Sequence, residues 1–504
     1  MPVFIRLNHH ASHLLLSSLL IALAVSGCTV GPDFEKPNPT APDDWASWHG
    51  AAPALQTPTV IGRTLPVQWW LALGDPVLNQ LQQLAFEVSP DLRTAALHYA
   101  QARAQRSTVA AQRGPQINAS GGVTRERQSE SGASTRLIGS LAPNPDPLVK
   151  ELSEPFNLYQ AGIDASWELD LWGRISRSIE AADADIADQQ ALLDLARLSL
   201  TSDVGRNYFE LRTTQRQIVL TREDIAALQD RLGLLQARVD GGLVDHFDLD
   251  RQQSELSAVK AQLPPLLAQE GASKNQLTLL LGKPPGALQD LLAAPSRDVA
   301  GKLPDMQLGL PSEVALRRPD IRAAEARLHR ATANIGIAEA EMYPSISLGA
   351  RFGYESYLSG EFSDWGSRTW SVGPSLNLPL FDRGRRKSVV QLRELEQQEA
   401  AVNYQQTVLK AWQEIDDALS AYNAERQRST ELTIRAQSAE QAYEIAQARY
   451  DGGTTDFLTV LDSQRSDLQA RRDLVSSEGD LYARYMLVNK AIGNVPIVER
   501  HEQN

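Results

Sequence analysis

Two stretches of about 65 residues each leave little freedom in what this chain can fold into. Arg385 to Tyr450 contains neither glycine nor proline. Gly173 to Val239 has no proline, and after its first residue Gly205 and Gly233 alone interrupt a run rich in Ala, Leu, Gln, Arg, Asp and Glu. Such residues favour helix, and at 1.5 Å rise per residue each stretch makes a rod of ~100 Å, well beyond ordinary globular helices. Val204, Leu211, Ile218, Ile225, Leu232 and Val239 recur every seven residues, with Leu228 and Leu235 forming a second apolar line. This spacing predicts knobs-into-holes packing along the rod.

The rods belong to a duplication. "SPDLRTAALHYAQA" from Ser89 returns as "RPDIRAAEARLHRA" from Arg318, "LDLWGR" from Leu169 as "LPLFDRGR" from Leu378, and "ARVDGGLVD" from Ala237 as "ARYDGGTTD" from Ala448. The offset shortens between the first match and the second, which places an insertion in the first copy. Ser129 to Pro155, rich in Ser, Pro and Asn, has the composition of an exposed loop and is the predicted site. Each copy reads as helix, two short strands, one very long helix, a sharp turn and a returning helix. The shorter helices, Pro76 to Arg113 and Leu243 to Leu281, are a little over half the rod length, so a stacked pair would match one rod. Asp240-Gly241-Gly242 and Asp451-Gly452-Gly453 reverse the chain, and Asp245 and Asp456 stand where they can cap the returning helices.

Between these helices lie segments with a period of two. Phe156 to Leu169 carries Tyr159, Ala161, Ile163, Ala165, Trp167 and Leu169 on one parity and Gln160, Asp164, Ser166 and Glu168 on the other. Ile346 to Tyr354 and Trp370 to Leu378 alternate likewise, while Ile117 to Val123 does so weakly. The pattern serves a transmembrane strand and a half-buried soluble strand equally well. Number is more decisive: four strands cannot close a lipid-exposed barrel, so if they cross a membrane at least two chains must share it.

The N-terminus points to an envelope. An apolar run from Leu14 to Val25, preceded by Arg6, is too short for a spanning helix and reads as a signal peptide. It ends at Cys28, the single cysteine of 504 residues, so no disulfide and no thiolate metal site is available. A formal charge of -13 argues against a nucleic-acid partner. His49, His98, His246 and His329 have no second histidine at metal-ligand spacing, and no phosphate-binding loop or nucleophile elbow is present. Neither an enzyme nor a cofactor protein is predicted.

Val25-Ser26-Gly27-Cys28 resembles a bacterial lipobox, which implies N-acyl and S-diacylglycerol groups on Cys28; a simple secretory signal with a stray cysteine is the alternative. Thr29, rather than Asp, resembles the signal that sends lipoproteins to the outer membrane. Further motifs carry a resemblance to the TolC-like outer-membrane factors of tripartite efflux systems, in their lipoprotein branch. They are Gly31-Pro32-Asp33-Phe34, Trp69-Trp70 before Gly74-Asp75-Pro76, "LRRPDIRAAEARL" from Leu316, Leu378-Pro379-Leu380-Phe381-Asp382 and "LTVLDSQRSDL" from Leu458.

The resemblance implies a mainly α chain with a transmembrane β portion, assembled as a homotrimer: a 12-stranded barrel, four strands per chain, continued by a long α-helical periplasmic barrel. The divisions predicted are a signal peptide over 1–27, a lipidated segment and equatorial strap over 28–74, repeats over 75–282 and 311–493, a connector over 283–310 and a tail over 494–504. A periplasmic adaptor, an inner-membrane pump of the RND class and outer-membrane lipid are the implied partners. Matched residue by residue, Asp462 falls on the acidic aperture of a periplasmic gate, with Arg449 and Tyr450 as its locking partners. Asp240, Gly241, Gly242, Asp245, Asp451, Gly452, Gly453 and Asp456 fall at the hairpin tips, where an adaptor could dock. A non-conducting lipid-anchored scaffold and a type I protein-secretion duct are the competing functions.

Overall fold

The computed structural model describes residues 29–496 apart from 39–40, 43–44, 46–47, 57–67, 134, 137–140, 142, 243–244, 294–302, 305, 307 and 309–310. The signal peptide and Cys28 therefore lie outside the described residues. In chain order the elements are α1 (Pro76–Val88), α2 (Pro90–Ala110), β1 (Gln116–Glu126), α3 (Pro145–Leu152), β2 (Phe156–Leu169), α4 (Arg174–Asp240), α5 (His246–Lys260), α6 (Leu263–Leu280), α7 (Pro311–Arg317), α8 (Pro319–Ala340), β3 (Ser345–Ser356), β4 (Arg368–Asn377), α9 (Arg385–Asp451) and α10 (Phe457–Ala491). The long helices α4 and α9 are 67 residues each.

Proline divides helices that the sequence reading took as single pieces. Pro90 has no amide to donate and disfavours helical backbone in the residue before it, so the Pro76 to Arg113 helix breaks at Ser89 (ψ 126°). The Leu243 to Leu281 helix breaks at Ala261-Gln262, just ahead of Pro264 and Pro265. No proline occurs in α10, which runs unbroken for 35 residues. Ser129 to Pro155, predicted as loop, contains α3, whose first residue Pro145 sits where a missing N–H costs nothing.

Two compact units emerge. One comprises the chain up to Glu35, Ala102–Asp185 and Leu328–Ala400; the other comprises Lys36–Gln101, Ile186–Arg327 and the chain from Ala401. Each draws on both halves of the sequence.

The first unit holds an antiparallel sheet in the order β1-β2-β3-β4. Its register aligns the alternation of all four strands. Ile117 lies opposite Ala165, which pairs with Ala350 and through it with Val372, while Ile163, Phe352 and Trp370 form the next row. Successive side chains point to opposite faces, so these rows and Trp167, Leu348, Ile346 and Leu376 make one face apolar. The other face carries Asn118, Asp164, Arg351 and Ser371 in one row and Gln160 opposite Glu355 in another. Polar contacts link neighbours there: Gln160 Nε2 donates to Glu355 at 2.7 Å, and the Ser347 and Ser375 hydroxyls meet at 2.7 Å. The apolar face is uncovered within the chain; Ile117, Trp370 and Val372 are each about 70% exposed. β1 and β4 have one paired neighbour each, leaving two open edges.

The second unit holds the main apolar core, around Trp69, Leu78, Leu81, Tyr208, Leu211 and Met486. The heptad line of α4 is the reason it forms. Val204, Leu211 and Ile218 are buried, and farther along Leu228 and Leu235 enter smaller clusters with α5 and α10 residues. Glycines permit the close approach of α4 and α10: a Cβ on Gly479 would collide with Thr213 Oγ1, and one on Gly205 would lie 2.6 Å from Met486 Sδ. Arg318, in the motif shared by both repeats, is buried. It donates to the carbonyls of Ala411 and Ala491 and to the carboxylates of Asp320 and Glu414, joining the start of α8 to α9 and α10.

The face assignment has a direct test. A charge on the apolar face costs ~2 to 4 kcal/mol near a bilayer midplane, whereas the polar face tolerates it. Val372→Arg is expected to reduce assembled protein in membranes far more than Ser371→Arg, read by immunoblot of membrane fractions. Equal yields would reverse the assignment.

Candidate functional site

The residues predicted to gate or dock gather at the two helix reversals of the second unit. Both reversals use the same backbone device. After α4, Gly241 and Gly242 donate to the carbonyls of Ala237 and Val239, with Gly242 at φ +69°. After α9, Gly452, Gly453 and Thr454 donate to Ala448, Tyr450 and Arg449, with Gly453 at φ +71°. A left-handed residue closing the last turn is what glycine supplies and a side chain resists.

Capping, expected of both Asp245 and Asp456, is realised at one of them. Asp456 accepts from the Thr459 amide at 2.8 Å and from its hydroxyl at 2.7 Å, and these bonds hold its carboxyl below the ordinary carboxylate range. Asp245 occupies the equivalent position before α5, yet its side chain makes no capping bond. Its charge acts instead on Asp248, whose pKa is raised by burial first and then by the nearby carboxylates of Asp245 and Asp456. Asp240 accepts from Gln236 at 2.8 Å, and Asp451 lies 3.9 Å from Arg238.

The three residues predicted to form a gate are placed differently from one another. Tyr450 packs with Leu235, Phe457 and Leu461; its ring is 5.5 Å from Phe457, and the Arg238 guanidinium stands 5.3 Å over it. Arg449 and Asp462 are both exposed. Among the described residues, Asp462 makes no hydrogen bond or ion pair with Arg449 or Tyr450 within one chain. Helix phase explains this: Leu461 turns its face of α10 into the core, and the next residue projects about 100° away from it.

Sequence reasoning missed two interior polar networks nearby. Arg231 donates to the Tyr443 hydroxyl at 2.5 Å, to Gln447 and to Gln464 at 3.2 Å, tying α4 to α9 and α10. Asp224 is buried between Arg471 at 3.0 Å and Arg472 at 3.2 Å; burial raises its pKa, and the two guanidiniums oppose that rise. Their places beside the heptad line were the available signal, since a charge flanking an apolar seam needs a partner across it.

At the other unit, the motif after Cys28 is seen to be a docking segment. The Val30 amide donates to the Trp172 carbonyl at 3.1 Å, and buried Arg177 binds the carbonyls of Val30 and Gly31 and the Asp33 carboxylate. Phe34 stacks on His329 at 4.2 Å. Thr29 presses on Gly173, where a Cβ would come within 2.7 Å.

These features can be set beside known proteins. The family model for "Outer membrane efflux protein" matches residues 81–283 and 310–494. Outer membrane protein OprJ of Pseudomonas aeruginosa is 32% identical over 453 residues, covering 90% of this chain and 89% of its own. The chain belongs to the outer membrane efflux protein family. Toluene efflux pump outer membrane protein TtgF of Pseudomonas putida is 29% identical, over 94% of this chain and 96% of its own. Among solved structures, the outer-membrane channel OprN superposes with a TM-score of 0.81 at 29% identity, over 93% of this chain and 99% of its own. The open-state MtrE channel of Neisseria gonorrhoeae superposes with a TM-score of 0.77 at 26% identity, over 93% and 99%.

This efflux protein is accordingly an outer-membrane channel protein of the TolC-like fold, and not an enzyme. Among the described residues no helix is long and apolar enough to cross a membrane. The strands, with one apolar and one polar face, are the membrane-spanning portion.

The two tip carboxylates yield a paired test. Asp456→Ala is expected to speed amide exchange at Thr459, while Asp245→Ala, which removes no capping bond and relieves repulsion on Asp248, does not speed exchange in the first turn of α5. Since the folded state lowers the pKa of Asp456, its cap contributes above the unfolded carboxylate value of about 4 and is lost as pH falls through the lowered one. Exchange corrected for intrinsic amide rates and measured from neutral pH downward should show α10 fraying, while the first turn of α5, where protonation of Asp248 relieves repulsion, does not fray; fraying at both tips would refute the distinction.

Proposed function

We propose that this chain is the exit duct of a tripartite efflux pump, passively conducting small toxic compounds to the exterior. The observation that carries the reading is the four-stranded sheet with one apolar face, one polar face and two open edges. Three copies joined edge to edge supply twelve strands and leave no backbone group unpaired in lipid. An inner-membrane pump of the RND class and a periplasmic adaptor would supply energy and cargo, in keeping with the pump named for TtgF. Lipidation of Cys28 fits the firm docking of residues 30–34. Mass spectrometry of the N-terminal peptide should find the acylated cysteine, and a free thiol there would end the lipoprotein assignment.

The gate is assigned to Asp462, Arg449 and Tyr450. Exposure of Asp462 and Arg449, together with the lack of a bond between them inside one chain, supports a contact made between neighbouring copies. Three carboxylates brought together by symmetry repel one another unless a cation faces them, and Arg449 is the cation offered. In planar bilayers Asp462→Ala is expected to show higher resting conductance than the wild type. Unchanged or lower conductance would defeat the lock, and absence of channels from both proteins would defeat the duct.

A further inference from the structure

Residues 48–56 of the second unit lie along the middle of α9 and are fastened to it by side chains of that helix. Asn423 Nδ2 donates to the Leu55 carbonyl at 2.8 Å, and Gln427 Nε2 donates to the Ala54 carbonyl at 2.8 Å. Trp48 meets Trp412 edge to face at 6.0 Å, and Trp45 packs on the same ring at 6.2 Å. One ionisable contact joins these neutral ones. His49 Nδ1 is 2.6 Å from Asp416 Oδ1, and the Gly50 amide donates to the other oxygen, Asp416 Oδ2, at 2.9 Å.

The second ring nitrogen makes the arrangement informative. His49 Nε2 is 3.2 Å from the Ala52 carbonyl. A carboxylate and a carbonyl both accept, so both ring nitrogens must donate, and this requires the imidazolium. A neutral ring satisfies one partner and turns a lone pair on the other. The imidazole is 5% exposed, so water can replace little of what is lost. Hydrogen bonding to Asp416 raises the pKa of His49, against the opposing effect of burial. Among the described residues Asp416 is the charge that acts on His49: the α9 positions one turn either side of it are Trp412, Gln413, Leu419 and Ser420, and the neighbouring strap residues are Trp48, Gly50, Ala51 and Ala52. Asp417, next along α9, is engaged by Gln413 of its own helix at 3.5 Å.

We infer that His49 and Asp416 form a proton-operated latch, holding the N-terminal strap on α9 while the imidazole is charged and loosening it when the proton leaves. The direction follows from linkage. A group whose pKa is raised by folding contributes stability that is complete below its unfolded value, 6.5 for histidine, and is lost as pH rises through the folded value. The strap is therefore closed below the ordinary histidine value and loosens as pH rises through the raised one, in the region where histidine alone among unperturbed side chains titrates. The inference concerns strap and helix and stands independently of the gate assigned above.

Hydrogen exchange of the full-length protein, corrected for intrinsic amide rates and followed by peptide mass spectrometry from about pH 6 to pH 9, tests it. In the wild type, protection of peptides spanning residues 48–56 should fall roughly tenfold as pH rises, the scale of one charge-assisted hydrogen bond, while peptides from α4 serve as the pH-insensitive control. His49→Arg keeps the charge and should abolish the pH dependence. Asp416→Asn keeps a partner for the Gly50 amide but removes the counter-charge, and should leave the strap poorly protected already at pH 6. Protection independent of pH in the wild type, the same alkaline loss in His49→Arg, or wild-type behaviour in Asp416→Asn would each overturn the latch.

Discussion

A backbone amide inside a lipid bilayer has no water to bond with, and the architecture of this protein follows from that constraint. Its four strands satisfy one another in the order β1-β2-β3-β4 and leave β1 and β4 each with an unpaired edge. An open edge in hydrocarbon costs several kcal/mol for each unmet group, so the chain cannot stand in the membrane alone. The apolar face, uncovered within the chain, is suited to lipid, and the Asn118, Asp164 and Arg351 face is suited to water. An assembly of copies meets all three demands at once, which is why the proposed duct is an oligomer and not a monomeric pore.

The same chain meets a different demand in its helical part, where long helices must find partners along their length. The heptad line of α4 supplies the apolar contacts, and Gly205 and Gly479 let α10 come close. Polar residues are then trapped beside the seam. Arg318 and Arg231 are each answered by groups from two or more other places in the chain, and Asp224 by two neighbouring arginines of α10; truncating one partner of a buried set such as those of Arg318 and Asp224 typically costs about 3 to 5 kcal/mol. These networks also fix register, since an Arg that reaches two carbonyls and two carboxylates in one position reaches none of them a turn away. Among the described residues the exposed Asp462 and Arg449 carry no such constraint, and that freedom suits residues proposed to change partners between closed and open states.

The His49 latch sits between these extremes. Among the described residues, the other fastenings of this stretch of the strap to α9 are neutral amide bonds and aromatic contacts that no ordinary change of medium disturbs. The latch depends on a proton, and its two acceptors are arranged so that the charged ring alone satisfies both.

Much of this was legible in the sequence, because it rests on periodicity and backbone chemistry. Freedom from proline gave the extent of α4 and α9 to within a residue or two, and alternation gave β2 its full span. The turn glycines and the strand count that requires a second chain were equally plain. What sequence alone misjudged was local and still chemical in origin: Pro90 and Pro264 divide helices whose composition otherwise runs through them, and α3 forms in a segment with loop composition. Other features were decided by tertiary structure alone. That Asp456 caps and Asp245 does not, that Tyr450 is held by Arg238 and Phe457 while Asp462 points away, and that His49 meets Asp416 across 367 positions all depend on distances between elements remote in the chain. Periodicity states which face of a helix is apolar; it contains no information about which polar side chain will stand opposite once the faces meet.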